Sequence, residues 1–150
     1  MIVAVLALAG VFVSAYLTLY KLGYIGTLSC SIGSCETVQM SKWAKFLGLP
    51  VAAWGVGYYL MVLATSIAGT MANLTESRQL SMALVAEAAL GFAFTAYLTS
   101  LEAFVIHAWC IYCLGSAAIV TLILAASVAD YWELRPLDRA GSRLGGVVQP

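Results

Sequence analysis

Charged side chains are scarce in this sequence. Its 150 residues include seven Lys or Arg and seven Asp or Glu, which is 9% of the chain, and the formal net charge is zero. A soluble domain carries roughly 25% charged residues, and a nucleic-acid-binding domain has a basic patch that is missing here. So little charge also excludes an intrinsically disordered chain. With 63% of its residues hydrophobic, the sequence indicates an integral membrane protein in contact with lipid.

Four long stretches of the sequence are apolar enough to cross a membrane. We predict spans within residues 1–20, 46–75, 79–101 and 108–129, in which Glu87 is the one charged residue. A helix of 20 residues rises about 30 Å, the thickness of the hydrocarbon core, and it satisfies every backbone polar group in lipid. The stretches do not alternate apolar and polar residues as barrel strands do. The predicted fold is therefore an all-α bundle of four transmembrane helices.

The predicted spans divide the chain into a membrane domain, residues 1–130, and a short polar tail, residues 131–150. The first stretch lacks the basic start of a cleaved signal peptide, so we expect it to remain as a span. An even number of spans puts both termini on one side of the cell membrane. A small excess of basic residues predicts that this side is the cytoplasm, and the long loop, residues 22–50, then faces the extracytoplasmic space.

The four cysteines form two close pairs on one side of the predicted membrane. Cys30 and Cys35 lie in the long loop, and Cys110 and Cys113 lie where the third span meets the fourth. At a helix start the dipole favours a thiolate at the first cysteine of a Cys-x-x-Cys, and the second lies one turn deeper, towards any lipid-soluble oxidant. Two such pairs predict an electron relay by thiol–disulfide exchange. Structural disulfides or a zinc site are the alternatives.

Beyond the cysteines, the sequence resembles the vitamin K epoxide reductase (VKOR) family over about residues 5–130. The residues that carry the resemblance are Cys35-Glu-Thr-Val-Gln-Met-Ser41-Lys-Trp43, Leu47-Gly-Leu-Pro50, Trp54-Gly55 and Cys110-Ile-Tyr-Cys113. The resemblance implies a four-helix bundle around a quinone of the ubiquinone, menaquinone or vitamin K type. Many bacterial members carry a fused thioredoxin-like domain. Only a short polar tail follows the last span here, so the expected partner is a separate thioredoxin-like protein.

The resemblance also assigns roles to the cysteines. It implies that Cys113 reacts with the quinone and that Cys110 is the exchange partner of Cys113. Cys35 forms the disulfide with Cys110 that links the two pairs, and Cys30 meets the external thiol substrate. Ser41 matches a family position that orients the loop or the substrate through hydrogen bonds.

Two departures from the family bear on the substrate. The loop cysteines have four intervening residues, fewer than in animal members, and Ala117 stands where animal enzymes have a Tyr. The first departure favours bacterial or archaeal relatives, and the second favours quinone reduction over epoxide reduction. The resemblance thus predicts a quinone-dependent thiol oxidoreductase that reoxidises its partner and supports disulfide bond formation. The alternatives are a vitamin K quinone or epoxide reductase and a non-enzymatic membrane protein with structural disulfides or zinc.

Aromatic residues near the outer ends of the spans are candidates for the wall of a quinone pocket. They are Trp54, Tyr58, Trp109 and Tyr112. An interfacial aromatic belt is the alternative for these residues. In the long loop, apolar residues recur at helical spacing at Met40, Trp43, Ala44 and Leu47. This pattern predicts a short amphipathic helix at the membrane surface, either as a lid over the quinone or as an anchor.

Three ionisable residues of the membrane domain are candidates for a role in proton transfer. Glu87 lies inside the third span, where a charge is functional by default, although a helix contact distant from the cysteines is the preferred interpretation. Glu102 and His107 bracket the outer end of that span, just before Cys110. Quinone reduction consumes two protons, so either residue is a candidate to deliver them, and His107 is also predicted to contact the quinone.

Overall fold

The structure, a computed structural model, describes residues 1–26, 34–70 and 78–145, with the backbone alone for residues 78 and 133–145. The elements are helices α1 (Ile2–Lys21), α2 (Cys35–Met40), α3 (Val51–Ala68), α4 (Arg78–Leu101) and α5 (Ile111–Gly145), and strands β1 (Lys45–Phe46) and β2 (Leu49–Pro50). A 3₁₀ turn, Lys42–Ala44, follows α2, and a π-helical turn, Glu102–Ile106, extends α4.

Helices α1, α3, α4 and α5 are each long and apolar enough to span a membrane. The apolar segments are Ile2–Lys21, Val51–Ala68, Gln79–Ile106 and Ile111–Trp132. Helices form here because charged residues are few in these segments and helix-breaking proline is absent from them, and because lipid offers the backbone no other hydrogen-bond partner. The prediction of an all-α, four-helix membrane bundle is confirmed.

The four spans pack as a closed ring. Helix α1 packs against α3 and α5, and α4 completes the ring by packing against α5 and α3. The buried core of the ring consists of Val3, Ala7, Tyr59, Val62, Ala88, Val120 and Ile123. Because lipid tails are as apolar as these side chains, close packing rather than the hydrophobic effect holds the helices together.

One tyrosine joins three of the four spans. The ring of Tyr59, on α3, lies directly against Gly10 of α1, and a Cβ atom at Gly10 would overlap the ring carbons. The Tyr59 hydroxyl lies 2.7 Å from the hydroxyl oxygen of Ser116 on α5. Gly10 therefore allows α1 and α3 to approach closely enough for Tyr59 to reach α5.

Because of this contact, we expect Gly10→Ala to destabilise the bundle. The added methyl group forces the buried Tyr59 ring to move, and such overpacking costs about 1–3 kcal/mol. Gly57→Ala is the matched control, since no atom lies within 4 Å of a Cβ at that position. Thermal unfolding in lipid nanodiscs should show a lower midpoint for the first variant alone. Equal midpoints for the two variants would contradict the close contact.

The short helix of the loop begins and ends earlier than the apolar spacing indicates. Helix α2 ends at Met40, because Ser41 takes an extended backbone (ψ 154°) and its hydroxyl donates back to the Val38 carbonyl at 2.7 Å. Leu47 and Gly48 then take positive φ angles of 52° and 83°, as the two central residues of a type I′ hairpin turn do. The residues with helical spacing from Met40 to Leu47 therefore do not share one helical face.

The last helix extends beyond the predicted membrane domain. The backbone of α5 is helical from Ile111 to Gly145, so most of the predicted polar tail continues the fourth span as a helix. Residues 146–150 lie outside the described part of the chain.

Candidate functional site

The Cys-x-x-Cys sequence opens α5 at the end of the bundle that carries the long loop. The Cys110 carbonyl accepts a hydrogen bond from the Leu114 amide at 3.0 Å, which is the first bond of the helix, so Cys110 is the N-cap residue. Cys113 lies one turn inside α5. Both are free thiols, with Cys110 fully buried and Cys113 partly buried.

The long loop reaches this helix start through its backbone. The Ser34 amide donates to the Trp109 carbonyl at 2.9 Å, and this bond places the beginning of α2 beside Cys110. Cys35, which is disulfide-bonded, is fully buried in one cluster with Cys110. The structure therefore brings a loop cysteine and the first cysteine of the Cys-x-x-Cys together. Cys30 lies outside the described residues, and its role stays a prediction.

The surroundings of Cys110 favour its thiolate. A hydrogen bond from the Cys113 thiol contributes most, and the backbone amides of Cys113 and Tyr112 add to it. Together they lower the pKa of Cys110 from 9.0 to about 7, against the opposing effects of burial and of the Glu102 charge. A thiol with such a pKa is ionised to a large extent at neutral pH, and the thiolate is the form that attacks a disulfide.

We expect the first thiolate to form with a midpoint near pH 7. Ionisation rises as the pH rises through the pKa, so the ultraviolet absorbance of the thiolate should increase around pH 7 rather than around pH 9. In Cys113→Ala the strongest stabilising hydrogen bond is lost, and the midpoint should move up. An absorbance that stays flat until pH 9 in the unmodified protein would contradict this account of Cys110.

A cavity of about 310 Å³ lies beside Cys113. Residues of all four spans and of the loop line it, and its volume falls within the range of small-molecule sites, about 300–1,000 Å³. Six aromatic side chains contribute to the wall, namely Trp43, Phe46, Trp54, Tyr58, Tyr59 and Phe94. Cys113 is a lining residue, and Cys110 is not. The two thiols therefore differ in access, because Cys113 faces the cavity while Cys110 faces the loop cysteine.

The β-hairpin covers the cavity on the loop side. Phe46, in β1, has its ring 6.2 Å from the ring of Trp54 and 6.4 Å from the ring of Phe94. The Trp54 indole donates to the Phe46 carbonyl at 3.2 Å. These contacts attach the hairpin to the start of α3 and to α4. The hairpin therefore closes the cavity on the loop side.

One polar atom in this wall lacks a partner within the described part of the chain. The Tyr58 hydroxyl is buried and makes no hydrogen bond there, although buried hydroxyl groups almost always have a partner. Tyr58 lines the cavity, but its hydroxyl oxygen packs directly against Gly91 of α4, where a Cβ atom would overlap it. The aromatic wall of the cavity fits the flat ring of a quinone.

The structure brings three of the six residues predicted for the quinone site to the cavity. Trp54, Tyr58 and Ser41 line it, whereas Trp109, Tyr112 and His107 are not among its lining residues. Tyr112 precedes Cys113 by one position, about 100° around the helix, and its ring lies 5.4 Å from the ring of Tyr16. His107 is exposed at the end of the π-helical turn. The roles of all six at a quinone site remain predictions.

Sequence reasoning missed part of the cavity wall. Phe46, Tyr59 and Phe94 line the cavity, but each lies in or beside a long apolar stretch where an aromatic residue gives no sign of the direction it faces. Phe46 reaches the cavity through the hairpin, which the apolar spacing did not indicate. Gly48 is the sequence feature that could have indicated this turn, since glycine is favoured at a position with positive φ.

Most of the chain matches the sequence profile of a known protein family. The sequence profile of the vitamin K epoxide reductase family matches residues 1–128. The matched range contains both cysteine pairs, the loop that packs against the start of α5, and every residue that lines the cavity.

Proposed function

Since this chain belongs to the vitamin K epoxide reductase family, we propose that it is a quinone-dependent thiol oxidoreductase that oxidises a separate thioredoxin-like protein. The family consists of membrane oxidoreductases that act with quinones, and the four apolar helices make this chain a multi-pass membrane protein. The observation that carries the proposal is the position of Cys113, whose thiol faces an aromatic cavity while its neighbour Cys110 packs against Cys35.

The proposed reaction proceeds by two exchanges and one oxidation. The dithiol of the partner protein reduces a disulfide of the loop cysteines, Cys30 and Cys35. Cys35 then attacks Cys110 in a Cys110–Cys113 disulfide, which forms a Cys35–Cys110 disulfide and releases Cys113 as a thiol. Cys30 next attacks Cys35, which forms the Cys30–Cys35 disulfide again and releases Cys110 as a thiol. These two thiols finally lose two electrons and two protons to the quinone and close their disulfide again. Each exchange requires a thiolate as the nucleophile.

The redox state of the cysteines matches one stage of this sequence. Cys35 is disulfide-bonded while Cys110 and Cys113 are free thiols, which is the state that is ready to reduce the quinone. The proposed stage also agrees with the pKa of Cys110 near 7, because a thiolate at Cys110 is the group that closes the disulfide onto Cys113.

The cavity supplies the features that a quinone ring requires. Aromatic side chains, Tyr58 among them, provide an apolar wall against which the ring can pack. Trp54 and Ser41 complete the proposed site at its loop side. The quinone belongs to the ubiquinone, menaquinone or vitamin K type.

We place the cysteine end of the bundle on the extracytoplasmic side of the cell membrane. The basic residues divide as Lys21, Lys42 and Lys45 at this end and Arg78, Arg135, Arg139 and Arg143 at the other. Basic residues are more frequent on the cytoplasmic side, and thioredoxin-like oxidases act in oxidising compartments. A membrane-impermeant maleimide added to intact cells should react with a cysteine introduced into the long loop.

The proposed activity is tested with the purified protein in liposomes under anaerobic conditions. A reduced thioredoxin-like protein and a quinone are supplied, and quinol and donor thiols are measured together. We expect one quinol for each donor disulfide formed. Donor oxidation without quinol formation, or no oxidation at all, would contradict the proposal.

A parallel assay addresses the alternative within the family. Vitamin K epoxide replaces the quinone, and a dithiol reductant replaces the protein donor. We expect no epoxide reduction, because Ala117 provides no phenol where animal enzymes carry one. Epoxide turnover at a rate similar to quinone turnover would support the alternative instead.

A further inference from the structure

A buried carboxyl group lies beside the thiols of α5. Glu102 is 3% exposed, and it lines the cavity together with Cys113. Among the described residues that line the cavity, Glu102 is the one with a charged side chain. Burying a carboxylate costs free energy unless it has hydrogen-bond partners. The hydrogen-bond partners of Glu102 therefore indicate its role at this site.

The backbone conformation around Glu102 directs this side chain towards α5. Helix α4 changes to a π-helical turn at Glu102, and the turn ends at His107 with left-handed angles (φ 54°, ψ 34°), which are uncommon for a residue other than glycine. The Ala108 amide donates to the Glu102 carbonyl at 3.2 Å. A π-helical turn adds one residue to a helical turn and is frequent at functional sites.

Two hydrogen bonds connect the Glu102 carboxyl group with the Cys-x-x-Cys sequence. The Cys110 amide donates to Glu102 Oε2 at 3.2 Å, and the Cys113 thiol donates to the same carboxyl group. The Cys113 thiol is also within hydrogen-bond reach of the Cys110 sulfur. The proton of Cys113 therefore lies between two groups that can accept it, a thiolate and a carboxylate.

Oxidation of the dithiol requires both thiol protons to leave. Cys110 releases its proton near neutral pH, since its pKa is about 7. The Cys110 sulfur forms the bond to Cys113, so it cannot also accept and retain the proton of the Cys113 thiol. Tyr58 and Tyr59 are the other titratable side chains among the described residues of the cavity wall, and as phenols they are weak bases. The Glu102 carboxylate is the remaining acceptor in contact with Cys113.

We propose that Glu102 is a catalytic base, which takes the Cys113 thiol proton during quinone reduction and passes it to the reduced quinone. This inference rests on the proposed function. The Cys113 S–H bond breaks, the electron pair stays on sulfur, and the carboxylate becomes a carboxylic acid. Two thiolates then lose two electrons to the quinone and form one S–S bond. The quinone gains two protons, one from Glu102 and one from water.

The chain offers a matched control for this role. Glu87 is the other acidic residue of the same apolar segment, and its Oε1 accepts a hydrogen bond from Thr65 Oγ1 at 3.1 Å. It lies about four helical turns from Glu102 and is not among the cavity residues. His107, the other proton-transfer candidate from the sequence, is exposed and also does not line the cavity.

The test compares Glu102→Gln, Glu102→Asp and Glu87→Gln in single-turnover reduction of quinone by the dithiol form. We expect Glu102→Gln to slow the reaction by about 10²-fold at pH 7, the usual effect of removing a general base. The deficit should shrink as the pH rises, because hydroxide then removes the thiol proton. Glu102→Asp should restore most of the rate, and Glu87→Gln should equal the wild type.

A second readout separates proton transfer from a structural role. The Glu102 charge opposes ionisation of Cys110, so Glu102→Gln should lower the pKa of Cys110 even as it slows quinone reduction. A merely structural role would instead reduce the rate equally at every pH, and Gln and Asp would not differ. That result, or a wild-type rate in Glu102→Gln throughout the pH range, would overturn the proposal.

The outcomes remain distinguishable if a variant fails. Wild-type protein that reduces no quinone would contradict the proposed function rather than the role of Glu102. Should Glu102→Gln not fold, as judged by thermal unfolding, Glu102→Asp decides. A pH profile close to that of the wild type supports the carboxylate as the base, and a slow rate without pH dependence overturns it.

Discussion

Cys113→Ala is expected to abolish quinone reduction by the thioredoxin-like donor, with a loss of about 10³-fold or more, as when a reacting nucleophile is removed. Among the cysteines that the structure describes, Cys113 is the one that lines the cavity, and Cys110 is buried among the loop residues instead. A single remaining thiol also cannot form the intramolecular disulfide whose formation releases two electrons to the quinone. Anaerobic quinol formation in liposomes measures the effect.

The control for this variant is its neighbour on α5. Leu114 is exposed on the outer surface of the bundle, so Leu114→Ala should leave the rate of quinone reduction unchanged. The Cys113→Ala protein should still accumulate a disulfide between Cys35 and Cys110, because the Cys110 thiolate can attack Cys35 in the Cys30–Cys35 disulfide and release Cys30, a step that does not use Cys113. Quinone turnover near the wild-type rate in Cys113→Ala would show that Cys110 delivers the electrons directly, and the assignment of roles would then be wrong.

Cys35→Ser should separate the two halves of the reaction. We expect the rate with the protein donor to fall by about 10²-fold or more, since Cys35 is the loop cysteine packed against Cys110. With a small membrane-permeant dithiol as the donor, quinone reduction should persist, because this reductant can reach Cys110 and Cys113 directly. The ratio of the two rates is therefore the informative measurement.

Ser34→Ala provides the control for the loop. The hydrogen bond from Ser34 to Trp109 is made by the backbone amide, so removal of the hydroxyl leaves the loop attached to the start of α5. Both donors should then support wild-type rates. Equal losses with both donors in Cys35→Ser would contradict the exchange step, because they would indicate a general disturbance of the Cys110 site.

The membrane fold could be predicted from the sequence because the scarcity of charge determines it. Each predicted span coincides with an observed apolar helix, and their ends differ by a few residues. The larger differences occur where local turns decide the structure. The π-helical turn carries the third span on to Ile106, and the type I′ turn at Leu47 and Gly48 replaces a helix that the apolar spacing indicates.

The candidate site was predictable as far as chain order determines it. Counting spans places Cys35, Cys110 and Cys113 at one end, and the structure agrees for these three. Which side chains face the cavity depends on helix rotation, and this is why Tyr58 lines it while Tyr112 does not. The contact between Glu102 and Cys113 depends on the π-helical turn, which a search for a period of 3.6 residues does not detect.

The most direct test of the central claim is a single turnover of the isolated membrane protein. The dithiol form is mixed anaerobically with one equivalent of quinone in lipid, and quinol is measured spectroscopically while thiols are counted by mass spectrometry. We predict that one quinol forms per chain as Cys110 and Cys113, and no other cysteines, lose their thiols. Unchanged quinone beside intact thiols at Cys110 and Cys113 would contradict the account.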